Sequence, residues 1–230
     1  MDPLSSLYKL ARKNMVLNQL KTHGINHPKL IDAFLSIARE RFVPPAFYNL
    51  CYYDHEIQLS PGRFLFSPVT LARLLQRANP IPGKKALVVG GGAGYSAAVL
   101  SLCGVDCYMV ESQDLLFEQA TSLLPSFHNV HCLHDELIKG WVEHAPFDII
   151  LIDGGAVPFV PNSILQQLNP EGGQLFALVQ DELAAESPDI SLCQAVCIEA
   201  LTGEFKTHIL FEGGSSTNLE FIVQKHFSFF

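Results

Sequence analysis

Charge is scarce in this sequence: only 17% of its 230 residues are Asp, Glu, Lys or Arg, against 48% hydrophobic. That balance excludes global disorder, because the chain has ample apolar material for a core. A chain of this length buries roughly 70–75% of the surface that it exposes when unfolded. Positive charge is scarcer still. Fifteen bases face 23 acids, the formal net charge is −8, and no run of Lys or Arg exceeds two neighbours. Duplex binding depends on neutralising phosphates, so no nucleic-acid partner is expected. No C-x-x-C pair occurs among Cys51, Cys103, Cys107, Cys132, Cys193 and Cys197. These residues read as reduced core thiols, with no metal site and no disulfide framework. A charged segment followed by an apolar secretion core is also missing from the N-terminal residues, so a cytoplasmic protein is expected. One long apolar run does stand out. Residues 86–105 carry no charge over twenty positions, long enough for a membrane span. Gly90, Gly91, Gly92 and Gly94 interrupt its start, and it reads instead as strand, glycine turn and buried helix, with no membrane association.

The hydrophobic spacing divides the chain at about residue 82. Leu4, Leu7, Tyr8, Ala11, Met15 and Leu20 keep helical spacing up to His23-Gly24. Leu30, Ile31, Phe34 and Ile37 mark a second helix after Pro28. Residues 46–66 read as irregular, with a turn at Pro61-Gly62. Ser67-Pro68 caps a third helix carrying Leu71, Leu74, Leu75 and Ala78. From residue 83 strands alternate with helices. The strands are expected at 86–89, 107–110, 130–133, 148–152 and 174–179, and the helices at 95–103, 114–124 and 162–168. Alternation of this kind implies a parallel sheet covered on both faces. Strand candidates at 194–200, 205–211 and 218–224, separated by Thr202-Gly203 and Gly213-Gly214, favour an antiparallel finish. Residues 181–193 carry no clear pattern. The expected organisation is a helical N-terminal extension, 1–82, on a Rossmann-like α/β unit, 83–230, together one structural unit.

The most informative segment runs from Ala86 through Gly90, Gly92 and Gly94 to Tyr95. A strand leading through glycines into a helix lets backbone N–H groups approach a ligand at the carboxyl edge of a sheet. Glu111 closes the next strand, 21 residues after Gly90, where a carboxylate can accept both hydroxyls of a ribose. The glycines are spaced G-x-G-x-G, and Tyr95 stands where the pyrophosphate fingerprint requires glycine. A nucleoside without phosphates therefore fits better than a dinucleotide, and S-adenosylmethionine is the obvious candidate. Asp135, just past the third strand of the α/β unit, reads either as a turn residue or as a partner for an adenine amino group. A nicotinamide-dependent oxidoreductase is the remaining reading of the loop.

Further segments carry a resemblance. Ala38-Arg39-Glu40-Arg41-Phe42-Val43-Pro44, Tyr53-Asp54 with Pro68 fourteen residues on, and Ala72-Arg73 are similar to elements of the protein-L-isoaspartate O-methyltransferase family. So are Gly94-Tyr95-Ser96-Ala97-Ala98, Glu111, Asp135 with Gly140-Trp141, Pro146-Phe147-Asp148, Val160-Pro161, Leu165-x-x-Leu168 and Gly172-Gly173. The resemblance implies a Rossmann-like class I methyltransferase fold, S-adenosylmethionine as methyl donor, and isoaspartyl-containing proteins or peptides as acceptors in protein repair. It implies donor contacts at Gly90, Gly92, Gly94, Tyr95, Glu111 and Asp135, and an acceptor loop containing Arg63, Phe66 and Ser67. Two functional positions depart from the family. The loop reads Gly62-Arg63-Phe64-Leu65-Phe66-Ser67-Pro68, with phenylalanines where the family has threonine and serine. Val88 stands where the family has an acid on the first strand. Asp153-Gly154-Gly155 also differs from the usual small uncharged run.

Methyl transfer to a carboxylate needs alignment and exclusion of water more than a strong base, because the acceptor is already ionised at neutral pH. Arg63 is therefore a candidate to hold the acceptor carboxylate or else a solvated loop arginine, with His55 as a weaker candidate, and Phe64 and Phe66 read either as core plugs or as an apolar acceptor wall. Two readings stand. One is a repair methyltransferase acting as a monomer or weak dimer. The other is a catalytically weak donor-binding module, or a methyltransferase with another carboxylate acceptor, as Val88, Phe64 and Phe66 suggest.

Overall fold

The computed structural model describes residues 3–180 and 191–221. Helix α1 (Pro3–Met15) continues through a π turn at Val16–Leu20 and a 3-10 turn at Lys21–His23. It stops at Gly24, whose φ of 77° closes the last turn in a left-handed conformation. Helix α2 (Pro28–Ser36) is capped by His27, whose ring accepts from the Leu30 N–H at 3.3 Å, with Pro28 at the first helical position.

The segment expected to be irregular contains a small antiparallel hairpin, β1 (Ile57–Ser60) and β2 (Arg63–Leu65), turning at Pro61-Gly62. Four- and three-residue strands carry too little periodicity to be read, and their register is set by what they pack against. Helix α3 (Pro68–Ala78) follows. The Ser67 side chain accepts from the Thr70 N–H at 3.3 Å, and Asp54 Oδ1 accepts from the Val69 N–H at 3.0 Å. Two orphan N–H groups of the first turn are thereby satisfied.

The remaining elements are β3 (Lys85–Val89), α4 (Tyr95–Leu102), β4 (Asp106–Glu111), α5 (Asp114–Leu123), β5 (Val130–His134), β6 (Ile149–Ile152), α6 (Asn162–Leu165), β7 (Glu171–Gln180), β8 (Ser191–Leu201) and β9 (Glu204–Ser215). They build a seven-stranded sheet of order β5-β4-β3-β6-β7-β8-β9. The first five in that order are parallel, and β8 and β9 join antiparallel. Of the third tail strand expected over 218–224, the described residues 218–221 form none. Thr217 makes a single bridge and Leu219–Phe221 is a 3-10 turn, while residues 222–224 lie outside the described residues. So do 181–190 of the segment that carried no clear pattern; 191–193 belong to β8.

Both faces of the sheet are covered. On β3, Ala86 and Val88 join the cluster formed with Phe34, Phe66, Leu74, Tyr95 and Met109, whereas Leu87 and Val89 join Phe147, Ile150, Ile164 and Leu175 on the other side. The two-residue period of a strand sends alternate side chains to two apolar layers, which is why β3 is hydrophobic throughout. Helices α2 and α3 of the N-terminal segment lie over the first layer. Among the described residues no helix is long and apolar enough to cross a membrane, and no cluster of His, Cys, Asp and Glu could hold a metal.

Candidate functional site

In the order above, the chain leaves β3 first toward β4 and β5 and later returns to place β6 on the opposite side. The crevice beyond the carboxyl ends of β3, β4 and β6 is the topological switch point, where open α/β sheets receive ligands. From β3 the backbone runs through Gly90, Gly92 and Gly94, with φ of 76°, 57° and 95°, into α4. Gly92 has a left-handed φ, and a Cβ there would lie 2.6 Å from Leu59 Cδ1, the tip of a side chain on the hairpin.

Glu111 ends β4 with no solvent exposure. Its Oε2 accepts from the Gly92 N–H at 2.8 Å, and its Oε1 accepts from the N–H groups of Ser112 at 2.9 Å and Gln113 at 3.0 Å. The glycine loop and the strand-end acid are thus one hydrogen-bonded unit.

Arg63 completes this unit from β2, and its side chain is also fully buried. Its Nη2 donates to Glu111 Oε1 at 3.1 Å and its Nε to Oε2 at 3.2 Å. Nη2 also meets Glu220 Oε1 at 2.6 Å, and Nη1 donates to Asn218 Oδ1 at 2.7 Å. A two-pronged guanidinium–carboxylate pair is among the stronger protein hydrogen-bonding arrangements. Arg63, which the sequence offered for an acceptor carboxylate, faces the glycine loop's carboxylate in this structure. The rest of the hairpin is tied down around it. The Phe64 N–H donates to Gly154 O at 3.1 Å, Ser60 hydrogen-bonds to Gln113, and Glu56 accepts from the Ser216 N–H at 2.8 Å. A Cβ on Gly154 would meet Arg63 Cδ at 2.6 Å, so the loop after β6 is shaped to the arginine.

The other candidates lie around this centre. Tyr95 is buried against Phe42, with ring centroids 5.4 Å apart, and the Arg39 guanidinium lies over its ring at 4.8 Å. Phe66 is 1% exposed, packed in the core, and its carbonyl accepts from Arg39 Nη2 at 2.6 Å. Ser67 is the helix cap described above. Asp135 lies on the surface past β5 and pairs with Lys139 at 2.8 Å, a contact that lowers its pKa. Val88 is fully buried in the apolar layer.

Asp153, Asn218 and Glu220 enter the site without having been assigned to it from sequence. Asp153 follows β6, is 2% exposed, and accepts from the Ser96 hydroxyl and from the Gly154 N–H at 2.8 Å. Burial pushes its pKa up to about 6 against the opposing pull of those bonds and of the Arg39 and Arg63 charges. Asn218 and Glu220 lie 155 and 157 residues from Arg63. They fall in a stretch whose apolar residues suggested a strand, so no local pattern connects them to it.

The sequence pattern described as protein-L-isoaspartate(D-aspartate) O-methyltransferase matches residues 11–191. A protein-L-isoaspartate O-methyltransferase of Pelotomaculum thermopropionicum is 37% identical over 173 residues, covering 74% of this chain and 75% of that protein. One from Desulfosudis oleivorans is 30% identical over 203 residues, covering 82% and 91%. Among solved structures, a protein-L-isoaspartate O-methyltransferase superposes with a TM-score of 0.76 at 23% identity, covering 93% of this chain and 68% of that one. A Plasmodium falciparum structure of the same description, in complex with S-adenosyl-L-homocysteine, superposes with a TM-score of 0.70 at 18% identity over 91% of this chain and 97% of that one.

Proposed function

Because the chain belongs to the protein-L-isoaspartate O-methyltransferase family, we propose that it transfers a methyl group from S-adenosylmethionine to the carboxylate of isoaspartyl residues in damaged proteins. The observation that carries this reading is the Gly92–Glu111 unit at the switch point. The donor set suits a nucleoside. Glu111 already accepts two side-chain N–H bonds from Arg63 beyond its three backbone bonds, so its oxygens have the capacity and direction to receive two vicinal hydroxyls instead. Backbone N–H groups near Gly92 and Gly94 supply close approach without side chains.

S-adenosylmethionine, when bound, supplies an electrophilic methyl on a sulfonium. Glu111 would hold the ribose, Gly90, Gly92 and Gly94 would leave room for the nucleoside, and Asp135, just past β5, would meet its base. Tyr95 anchors α4 to the core and fixes the loop from behind. On the acceptor side no base is needed, since an isoaspartyl carboxylate with pKa near 4 is ionised at neutral pH. Phe66 and Ser67 hold the acceptor loop in place by packing and capping. Their contribution is exclusion of water and alignment. Arg63 acts on the donor side through Glu111.

We read residues 1–82 and 83–230 as one unit, because Phe34 and Phe66 share a hydrophobic cluster with Val88 and Met109. All six cysteines are free, which suits a reducing compartment such as the cytoplasm, and a monomer or weak dimer is our working assembly.

The test is methyl transfer from S-adenosylmethionine to a synthetic isoaspartyl peptide, read by mass spectrometry, with the same peptide carrying normal aspartate as control. A methyl ester on the isoaspartyl peptide alone is expected. Donor turnover with neither peptide esterified would reassign the acceptor, and binding of S-adenosylhomocysteine without turnover would favour the donor-binding module that the Phe64, Phe66 and Val88 departures suggest.

A further inference from the structure

The carboxylate that suits the ribose is already occupied from within the chain. Glu111 accepts from three backbone N–H groups and from two N–H groups, Nε and Nη2, of the buried Arg63 guanidinium. Two oxygens offer about four lone-pair positions, so a pair of hydroxyls can be received only where the Arg63 N–H groups give up theirs. The same hairpin also covers the glycine loop, with Leu59 Cδ1 2.6 Å from where a Gly92 side chain would begin. Anchors of the hairpin fall on several edges of the crevice: Glu111 at the end of β4 with Gln113 just after it, Gly154 after β6, and Asn218 and Glu220 near the end of the described chain.

We propose that Arg63 is an internal ligand of the nucleoside site. The β1–β2 hairpin occupies the place of the donor's ribose, and donor binding requires Arg63 and Leu59 to leave it. The inference rests on the donor reading given above. Its chemistry is a simple exchange. Two N–H donors leave the Glu111 oxygens, two ribose O–H donors replace them, and the guanidinium keeps Glu220 as partner or enters solvent. Glu220 is suited to that part because its side chain is 34% exposed while Glu111 is fully buried. The apparent affinity of a site falls by the fraction of molecules in which it is open. A closed hairpin therefore lowers donor affinity without changing any residue that touches the donor.

The experiment is calorimetric titration of S-adenosylhomocysteine into the full chain and into Arg63→Ala and Glu220→Gln, with hydrogen exchange followed over residues 57–65. Glu220→Gln guards against a folding artefact, because it leaves the buried Glu111 pair intact and alters only the outer, half-exposed anchor. The expected result is about tenfold or more tighter binding for Arg63→Ala and a smaller gain for Glu220→Gln. Faster exchange of the hairpin should accompany the ligand in the native chain. Equal affinities in all three proteins, with hairpin protection unchanged by ligand, would overturn the proposal and leave the donor reading intact. Absence of binding in all three, each melting cooperatively, would overturn it by removing the donor itself, an outcome distinguished by the missing heat.

Discussion

Glu111 and Asp153 are both buried carboxylates, and the structure treats them in opposite ways. Glu111 has a guanidinium and three backbone N–H donors. Breaking a buried pair by deleting one partner costs about 3–5 kcal/mol, because the other charge stays buried and uncompensated. Glu111→Ala is therefore expected to lose that much stability in urea titration as well as its S-adenosylhomocysteine binding. Asp153 lacks a direct cationic partner among its hydrogen bonds, and burial raises its pKa to about 6. An unfolded aspartate titrates near ~3.9, so between about pH 4 and 6 the folded chain holds a proton that the unfolded chain has released. The associated stability is fully present below about pH 4, falls as pH rises through about 6, and amounts to about 3 kcal/mol. Thermal melts of Asp153→Asn against the native chain should show this fall in the native protein only. A pH-independent difference between the two would contradict the assignment.

Among the elements, β3, α4 and β4 were legible and the hairpin was not, for physical reasons. β3 and α4 are buried on every side, so their uninterrupted apolar runs punctuated by glycines leave little choice of structure. Ser67-Pro68 likewise announces α3, and the Ser67 cap is in place. The hairpin has two short strands whose decisive contacts reach Glu111, Asn218 and Glu220, far along the sequence. An arginine flanked by Gly62 and Phe64 looks the same whether it faces solvent or a buried acid. The same limit applied to Phe66, which the sequence left open between a core plug and an acceptor wall. It is a core side chain of the β3 layer, and its carbonyl accepts from Arg39. Phe66→Ser is thus expected to destabilise the fold by about 3–5 kcal/mol, on the scale for truncating a buried phenylalanine. Urea titration checks this, and a loss under about 1 kcal/mol would show that the loop can collapse or rearrange around the smaller side chain.

For the molecule as a whole, the low charge and high apolar content translate into two layers closing both faces of one sheet. The cysteines follow from that packing. Burial pushes the thiols of Cys103, Cys132, Cys193 and Cys197 up to about 11 and that of Cys51 up to about 12, and raises Cys107 as well. Since the thiolate is the reactive form, native protein at neutral pH should react very slowly with a disulfide reagent, and all six thiols should react at once in denaturant. A rapidly titrating native thiol other than the half-buried Cys132 would mean that one of these layers opens.

On the proposal above, a single carboxylate, Glu111, serves Arg63 in the resting chain and a nucleoside in the working one. The Arg63 Nε–H makes this directly observable, because a buried, ion-paired guanidinium exchanges its proton slowly. In nitrogen-15 spectra of arginine side chains, the resonance that disappears in Arg63→Ala identifies it. Saturation with S-adenosylhomocysteine should abolish or strongly shift that protected resonance as Glu111 changes partner. A protected Arg63 resonance left unmoved at saturation would contradict the account.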